Sequence, residues 1–118
     1  MNKYTELSDF EINKKVAENL KLNTIAYERT EIVLFDDMDA TPFDPCNNPT
    51  DAMPIIIENN ISLHAPRLRE GWMAEYTGSG DDVNDGFQAD YFDSHNKNPL
   101  RAAMEVFLRI KDEENEKV

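Results

Sequence analysis

The chain has few of the groups that cross-link small proteins or carry them into membranes. Its 118 residues include one cysteine, Cys46, which excludes an intramolecular disulfide and cannot alone supply the thiolates of a structural zinc site; this fits a reducing compartment. Apolar runs are short. The longest, Pro54-Ile55-Ile56-Ile57, is far below the roughly 20 residues of a membrane span, and Met1 to Lys15 is too polar for a signal peptide. No membrane association and a cytoplasmic location are therefore expected. Basic side chains are scarce as well: 12 Lys and Arg stand against 24 Asp and Glu, for a net charge of -12.

Both chain ends are balanced in charge, so the acidity lies in the middle. Residues 36–51 hold Asp36, Asp37, Asp39, Asp44 and Asp51 with no base, and residues 75–94 hold Glu75, Asp81, Asp82, Asp85, Asp90 and Asp93, again with none. Such a surface repels phosphate, so direct binding to nucleic acid or anionic lipid is not expected. The 40% hydrophobic and 9% aromatic content is close to the globular average and supports one folded domain over residues 1–118.

Local signals give an order of elements. Ser8 caps a first helix, Glu11 completes a capping box, and Leu7 and Ile12 stand at the staple positions; Phe10, Val16, Ala17 and Leu20 carry the apolar stripe to about Lys21. Arg29 to Phe35 reads as a strand buried on both faces, because Ile32 to Phe35 is an unbroken β-favouring run. The segment Asp36 to Asn47 is a loop. A second helix begins at Asn48 as cap with Pro49 at N1, and either kinks at Pro54 or starts only after it. Ile61 to His64, Trp72 to Tyr76 and, more weakly, Phe87 to Phe92 are strands. Asn98 and Pro99 start a last helix with the stripe Ala103, Val106, Phe107 and Ile110, and residues 112–118 form a frayed charged tail. The fold expected is α+β and sandwich-like: three helices on a small mixed or antiparallel sheet of three to four strands. Tyr4, Tyr27 and Phe43 are candidates for exposed aromatics.

Three stretches carry a family resemblance: Thr5-Glu6-Leu7-Ser8-Asp9-Phe10-Glu11-Ile12-Asn13, Cys46-Asn47-Asn48-Pro49-Thr50-Asp51-Ala52-Met53-Pro54-Ile55-Ile56-Ile57-Glu58-Asn59, and Asn98-Pro99-Leu100-Arg101-Ala102-Ala103-Met104, with Trp72-Met73-Ala74 between the last two. In these the chain resembles the NinX-like proteins of lambdoid phages, whose small domain is described as an alpha-beta-alpha sandwich. The resemblance implies a phage or prophage protein made in the bacterial cytoplasm. It carries over no catalytic residue. Asp36 to Asp44 and Thr77 to Asp90 depart from the family pattern, so anything particular to this chain is expected there.

Chemistry-bearing constellations are sparse. Asp37 and Asp39, or Asp82, Asn84 and Asp85, are closely spaced oxygen ligands, but neither stretch has the glycine and glutamate spacing of an EF-hand. Gly78-Ser79-Gly80 lacks the lysine and hydroxyl pair of a phosphate loop. Cys46, His64 and His95 are scattered, with His95 placed to pair with Asp93. No catalytic group, metal or cofactor is assigned from them.

Arg101 is sharper, because it falls at N3 of the last helix, where the dipole disfavours a cation. Either a carboxylate from residues 75–94 neutralises it, or Arg67, Arg69, Lys97 and Arg101 line an anion pocket at that helix start, with Trp72 as stacking partner. The leading functional expectation is a non-enzymatic accessory protein binding a host or phage protein with a basic surface through Asp36, Asp37, Asp39, Asp44, Asp81, Asp82 and Asp85. The alternatives are a binder of small nucleotide-type anions in counter-defence, using the arginine cluster, and a DNA-mimic inhibitor.

Overall fold

A computed structural model describes residues 3–66, 71–77 and 91–116. Arg67, Arg69, Asp81, Asp82 and Asp85, together with Gly78-Ser79-Gly80 and Asn84, lie outside them. The element order is α1 (Asp9–Asn19), β1 (Thr24–Tyr27), β2 (Ile32–Phe35), α2 (Pro49–Glu58), β3 (Ser62–His64), β4 (Trp72–Thr77), β5 (Tyr91–Asn96) and α3 (Pro99–Glu116). The fold is α+β, with two antiparallel sheets: a β1-β2 pair and a three-stranded sheet ordered β3-β4-β5.

The helix starts follow their capping chemistry. Ser8 Oγ accepts from the Glu11 amide at 3.1 Å. Asn48 Oδ1 accepts from Thr50 N at 3.0 Å, and Asn98 Oδ1 from Leu100 N at 3.0 Å; each satisfies an amide that the helix itself leaves without an acceptor. Helix α2 begins at Pro49 and runs through Pro54. The carbonyl that Pro54 cannot serve belongs to Thr50, which is exposed to solvent, and this makes the interior proline tolerable. Helices α1 and α2 both end in the double reverse bond of a left-handed C-terminus. Leu22 N reaches Ala17 O at 3.0 Å after Lys21, and Ile61 N reaches Ile56 O at 3.0 Å after Asn60.

Helix α3 is the centre of the molecule. Arg101 to Leu108 are eight consecutive buried residues, so the helix is enclosed all round rather than docked by one stripe. The sheet β3-β4-β5 packs on one side of it, and α1 and α2 on the other. In the sheet, Leu63, Ala74 and Ser94 form one rung, with Ala74 and Ser94 buried. The next rung, His64, Met73 and His95, points to the opposite face by strand alternation. Gly71 is needed where β4 starts, since a Cβ there would lie 2.7 Å from the Asn96 backbone.

Several local expectations are corrected. The β2 strand begins at Ile32, not Arg29, and only Val33 in it is buried. Arg29 and Thr30 instead belong to the turn from β1. The last strand is Tyr91–Asn96, later than Phe87 to Phe92. Helix α3 continues to Glu116, and at Asp112 it is tied to the N-terminal segment by Tyr4 Oη donating to the carboxylate and by Lys3 at 3.2 Å from it. Tyr4 and Phe43 are core residues, 5% and 3% exposed, whereas Tyr27 is open at 46%.

Candidate functional site

Two features answer the sequence expectations: a buried polar hub around Arg101 and an open acidic ribbon around β2. Arg101, the sharpest of the sequence signals, stands at the centre of the hub. The side chain turns inward. Its Nε donates to Glu105 Oε2 at 2.6 Å, Nη1 to Asp9 Oδ1 at 2.6 Å, and Nη2 to the carbonyls of Tyr4 at 2.8 Å and Leu7 at 2.6 Å. Burial alone would lower its pKa, but the bonds to Asp9 and Glu105 outweigh this and hold the guanidinium above its ordinary value. Glu105 is fully buried and also accepts from Ser94 Oγ of β5.

Beside it, buried Asn13 accepts from Cys46 N at 3.1 Å and donates to Asp44 at 2.7 Å. Asn98 Nδ2 donates to Cys46 O at 2.6 Å. Asp9, Asn13, Cys46, Asn98 and Arg101 thus bring together the three stretches on which the family resemblance rests. Asp44, expected on an acidic partner surface, is half-buried and tied into this hub. Among the described residues, the carboxylates that meet Arg101 come from α1 and from its own helix at i+4, and neither belongs to residues 75–94, where one was expected. Four of the five guanidinium N–H groups are engaged by these contacts, which leaves little of the cation for a ligand.

Of the other proposed anion contacts, Arg67 and Arg69 lie outside the described residues. Lys97 is exposed at the bend before α3. Trp72 is half-buried on β4 opposite Asn96, and strand alternation puts it on the face of Ala74 and Tyr76. Cys46 is buried and its thiol is pushed upward, first by burial and then by the charge of Asp9. His64, exposed, pairs with Glu75, and His95 is exposed opposite Met73. Burial therefore separates the thiol from both imidazoles. Among the described residues no three His, Cys, Asp or Glu side chains gather where a metal ion could sit, and no helix is long and apolar enough to cross a membrane.

The acidic ribbon is built by residues 41–43 folding back along β2. Phe35 N donates to Thr41 O at 2.9 Å, and Phe43 N to Val33 O at 2.8 Å. The intervening tip is ordered by Asp37, whose Oδ1 accepts from Asp39 N at 3.1 Å and Ala40 N at 2.8 Å. Asp36, Asp37 and Asp39 are exposed, and Met38 between them is fully so. Among the described residues no cation pairs with these three carboxylates. At the other end of the ribbon, roughly 13 Å away at the strand rise, lies a cavity of about 270 Å³ lined by Asp9, Phe10, Glu31, Val33, Phe43 and Asp44 among others. Its polar rim is carboxylate and amide. Sequence reasoning missed this cavity because its walls come from three separate stretches, 9–13, 31–33 and 42–47.

The family described as Bacteriophage P22, NinX matches the chain over residues 3–111. The chain belongs to that family. Membership makes this NinX-family chain a phage accessory protein, and the matched span takes in the hub and the acidic ribbon alike. No curated protein and no solved structure matches the chain.

Proposed function

We propose that the chain is a non-enzymatic phage accessory protein that binds a basic host or phage protein through the acidic ribbon. The observation that carries this reading is the tip Asp36, Asp37 and Asp39: three exposed carboxylates on a turn fixed by the side chain of Asp37 and without a paired cation among the described residues. Fixed, uncompensated charge steers and orients a partner of opposite sign. Exposed Met38 adds an apolar contact within the charged frame. The reading in which arginines hold an anion is less favoured, because Arg101 is committed to Asp9, Glu105 and the backbone. Cytoplasmic action in the bacterial host forms part of the proposal.

The test is capture of proteins from phage-infected bacterial lysate by the tagged chain and by the variant Asp36→Asn, Asp37→Asn, Asp39→Asn, at low and high salt. A basic partner released by salt and lost with the variant is the expected result. Partners retained in high salt, or bound equally by the variant, would overturn the proposal.

A further inference from the structure

The β1-β2 hairpin has two apolar faces and only one of them is covered. Ala26, Val33 and Phe35 pack on the core. Their neighbours Ile25, Tyr27 and Ile32 are 41%, 46% and 42% exposed. The register Ile25↔Leu34 and Tyr27↔Ile32 joins them with half-buried Leu34 into one contiguous patch.

Among the described residues, the same hairpin has one edge filled and one open. Pairing alternates along an antiparallel ladder, and the outward groups of β2 at Val33 and Phe35 bond to residues 41–43. The groups of β1 that match them in the alternation are the N–H and C=O of Thr24 and Ala26. Among the described residues, β2 is the only strand that pairs with β1. Thr24-Ile25-Ala26-Tyr27 contains neither the lysine nor the proline that commonly guards a free edge.

Charge selects the occupant. Asp36, Asp37 and Asp39 stand at the Thr24 and Phe35 end of the hairpin, where Asp36 N bonds to Asn23 O at 2.9 Å. At the turn end Glu28 is already paired with Lys14 at 3.3 Å, and Arg29 offsets Glu31 in formal charge. A second copy of this chain, itself at -12, would leave the acidic tip unneutralised.

We infer that β1 is a docking edge for an extended segment of the basic partner. The segment adds as a strand beside Thr24–Tyr27, covers Ile25 and Tyr27 with alternate apolar side chains, and sets lysine or arginine against Asp36, Asp37 and Asp39. This inference rests on the acidic-ribbon reading and specifies its contact. Main-chain bonds along the edge supply affinity, and the side-chain alternation with the terminal charge supplies register.

The probe is a short synthetic peptide of alternating valine and threonine ending in lysines. Its controls are the same peptide N-methylated on the alternate amides of one edge, and one with glutamates for lysines. Amide NMR shifts of the chain report the site and fluorescence anisotropy reports affinity. The lysine peptide is expected to shift Thr24 and Ala26 amides, to weaken about tenfold on N-methylation as hydrogen bonds are lost, and to be lost with glutamates. Ala26→Pro, which removes one outward N–H, should act like the methylation; Ile25→Asp, at an exposed position, gives a second variant that preserves the fold. If shifts stay within residues 36–40 and methylation has no effect, binding is through charge alone: the strand inference fails while the acidic-ribbon reading stands. If methylation matters but the Asp36, Asp37, Asp39 triple variant binds as well as the parent, the acidic reading fails. A dimer that forms without peptide and is broken by Ile25→Asp would assign the edge to a second copy and overturn the inference.

Discussion

The hub around Arg101 and the hairpin β1-β2 treat polar and apolar groups in opposite ways. In the hub, charges are buried and matched: Arg101 meets Asp9 and Glu105 at 2.6 Å, and among the described residues no buried side-chain nitrogen or oxygen lacks a partner. In the hairpin, apolar side chains are exposed, and among the described residues a strand edge is open and the neighbouring carboxylates have no paired cation. A satisfied network specifies the packing of α1, α3 and β5, whereas an unsatisfied surface is where a second molecule can add free energy. The contrast assigns the chain's most sequence-conspicuous base to stability, and the docking edge we infer falls on its least conspicuous strand.

The strongest way to break the comparison is to remove the cation. Arg101→Met should destabilise by about 3–5 kcal/mol, because Glu105 is left buried without its counter-charge; denaturant titration measures it. Pairing the change with Glu105→Leu should recover part of the loss, since an apolar replacement of both partners avoids the stranded charge. A fall under 1 kcal/mol for Arg101→Met would mean that the hub behaves as a surface pair. Asn13→Ala comes next, at about 1–3 kcal/mol, because it strands the Cys46 amide and removes a donor from Asp44.

The helices were legible because their signals are local. Ser8, Asn48 and Asn98 each placed a start that the structure keeps, as capping needs only the next few residues. The sheet strands were legible where apolar alternation marked them and blurred where polar residues faced the core. β5 carries Ser94 inward because its hydroxyl serves Glu105, so Asp93-Ser94-His95-Asn96 reads as loop. The hairpin was hidden for a different reason. Its turn has Glu31 at φ 57°, where glycine would be the usual signal, and the strand was therefore read straight through Arg29 and Thr30. The hub was half legible. The helix dipole made a carboxylate near Arg101 necessary, but it was expected from residues 75–94; Glu105, one turn on in the same helix, was passed over, and Asp9 is 92 residues away in the chain, where no local pattern reaches.

A smaller effect separates the hub's edge from the ribbon by pH. The Tyr4 phenol is held well above its ordinary range, first by burial, then by its hydrogen bond to Asp112 and that carboxylate's charge. A raised pKa favours the protonated form in the folded state. The stability it contributes is therefore complete below the ordinary tyrosine value of about 10 and is lost as pH rises through that value toward the folded one. The denaturation midpoint should fall between about pH 9 and about pH 11, and Tyr4→Phe should reduce that dependence. The Cys46 thiol, raised chiefly by burial, adds a loss of the same sign from its own ordinary range, and Tyr4→Phe leaves that part in place.

The smallest expected effect tests the hairpin itself. Tyr27→Ser removes an aromatic that is 46% exposed on the face turned from the core, so stability should change by no more than about 0.5 kcal/mol. A loss near 2 kcal/mol would place Tyr27 within a packed surface and close the face that the docking inference uses. If stability holds, the same variant should still weaken binding of the lysine-ended peptide, because the strand laid beside β1 would lose its apolar cover at Tyr27. Stability unchanged with binding reduced is the signature of a residue kept for contact with another molecule, whereas for Arg101 the loss should fall on folding itself.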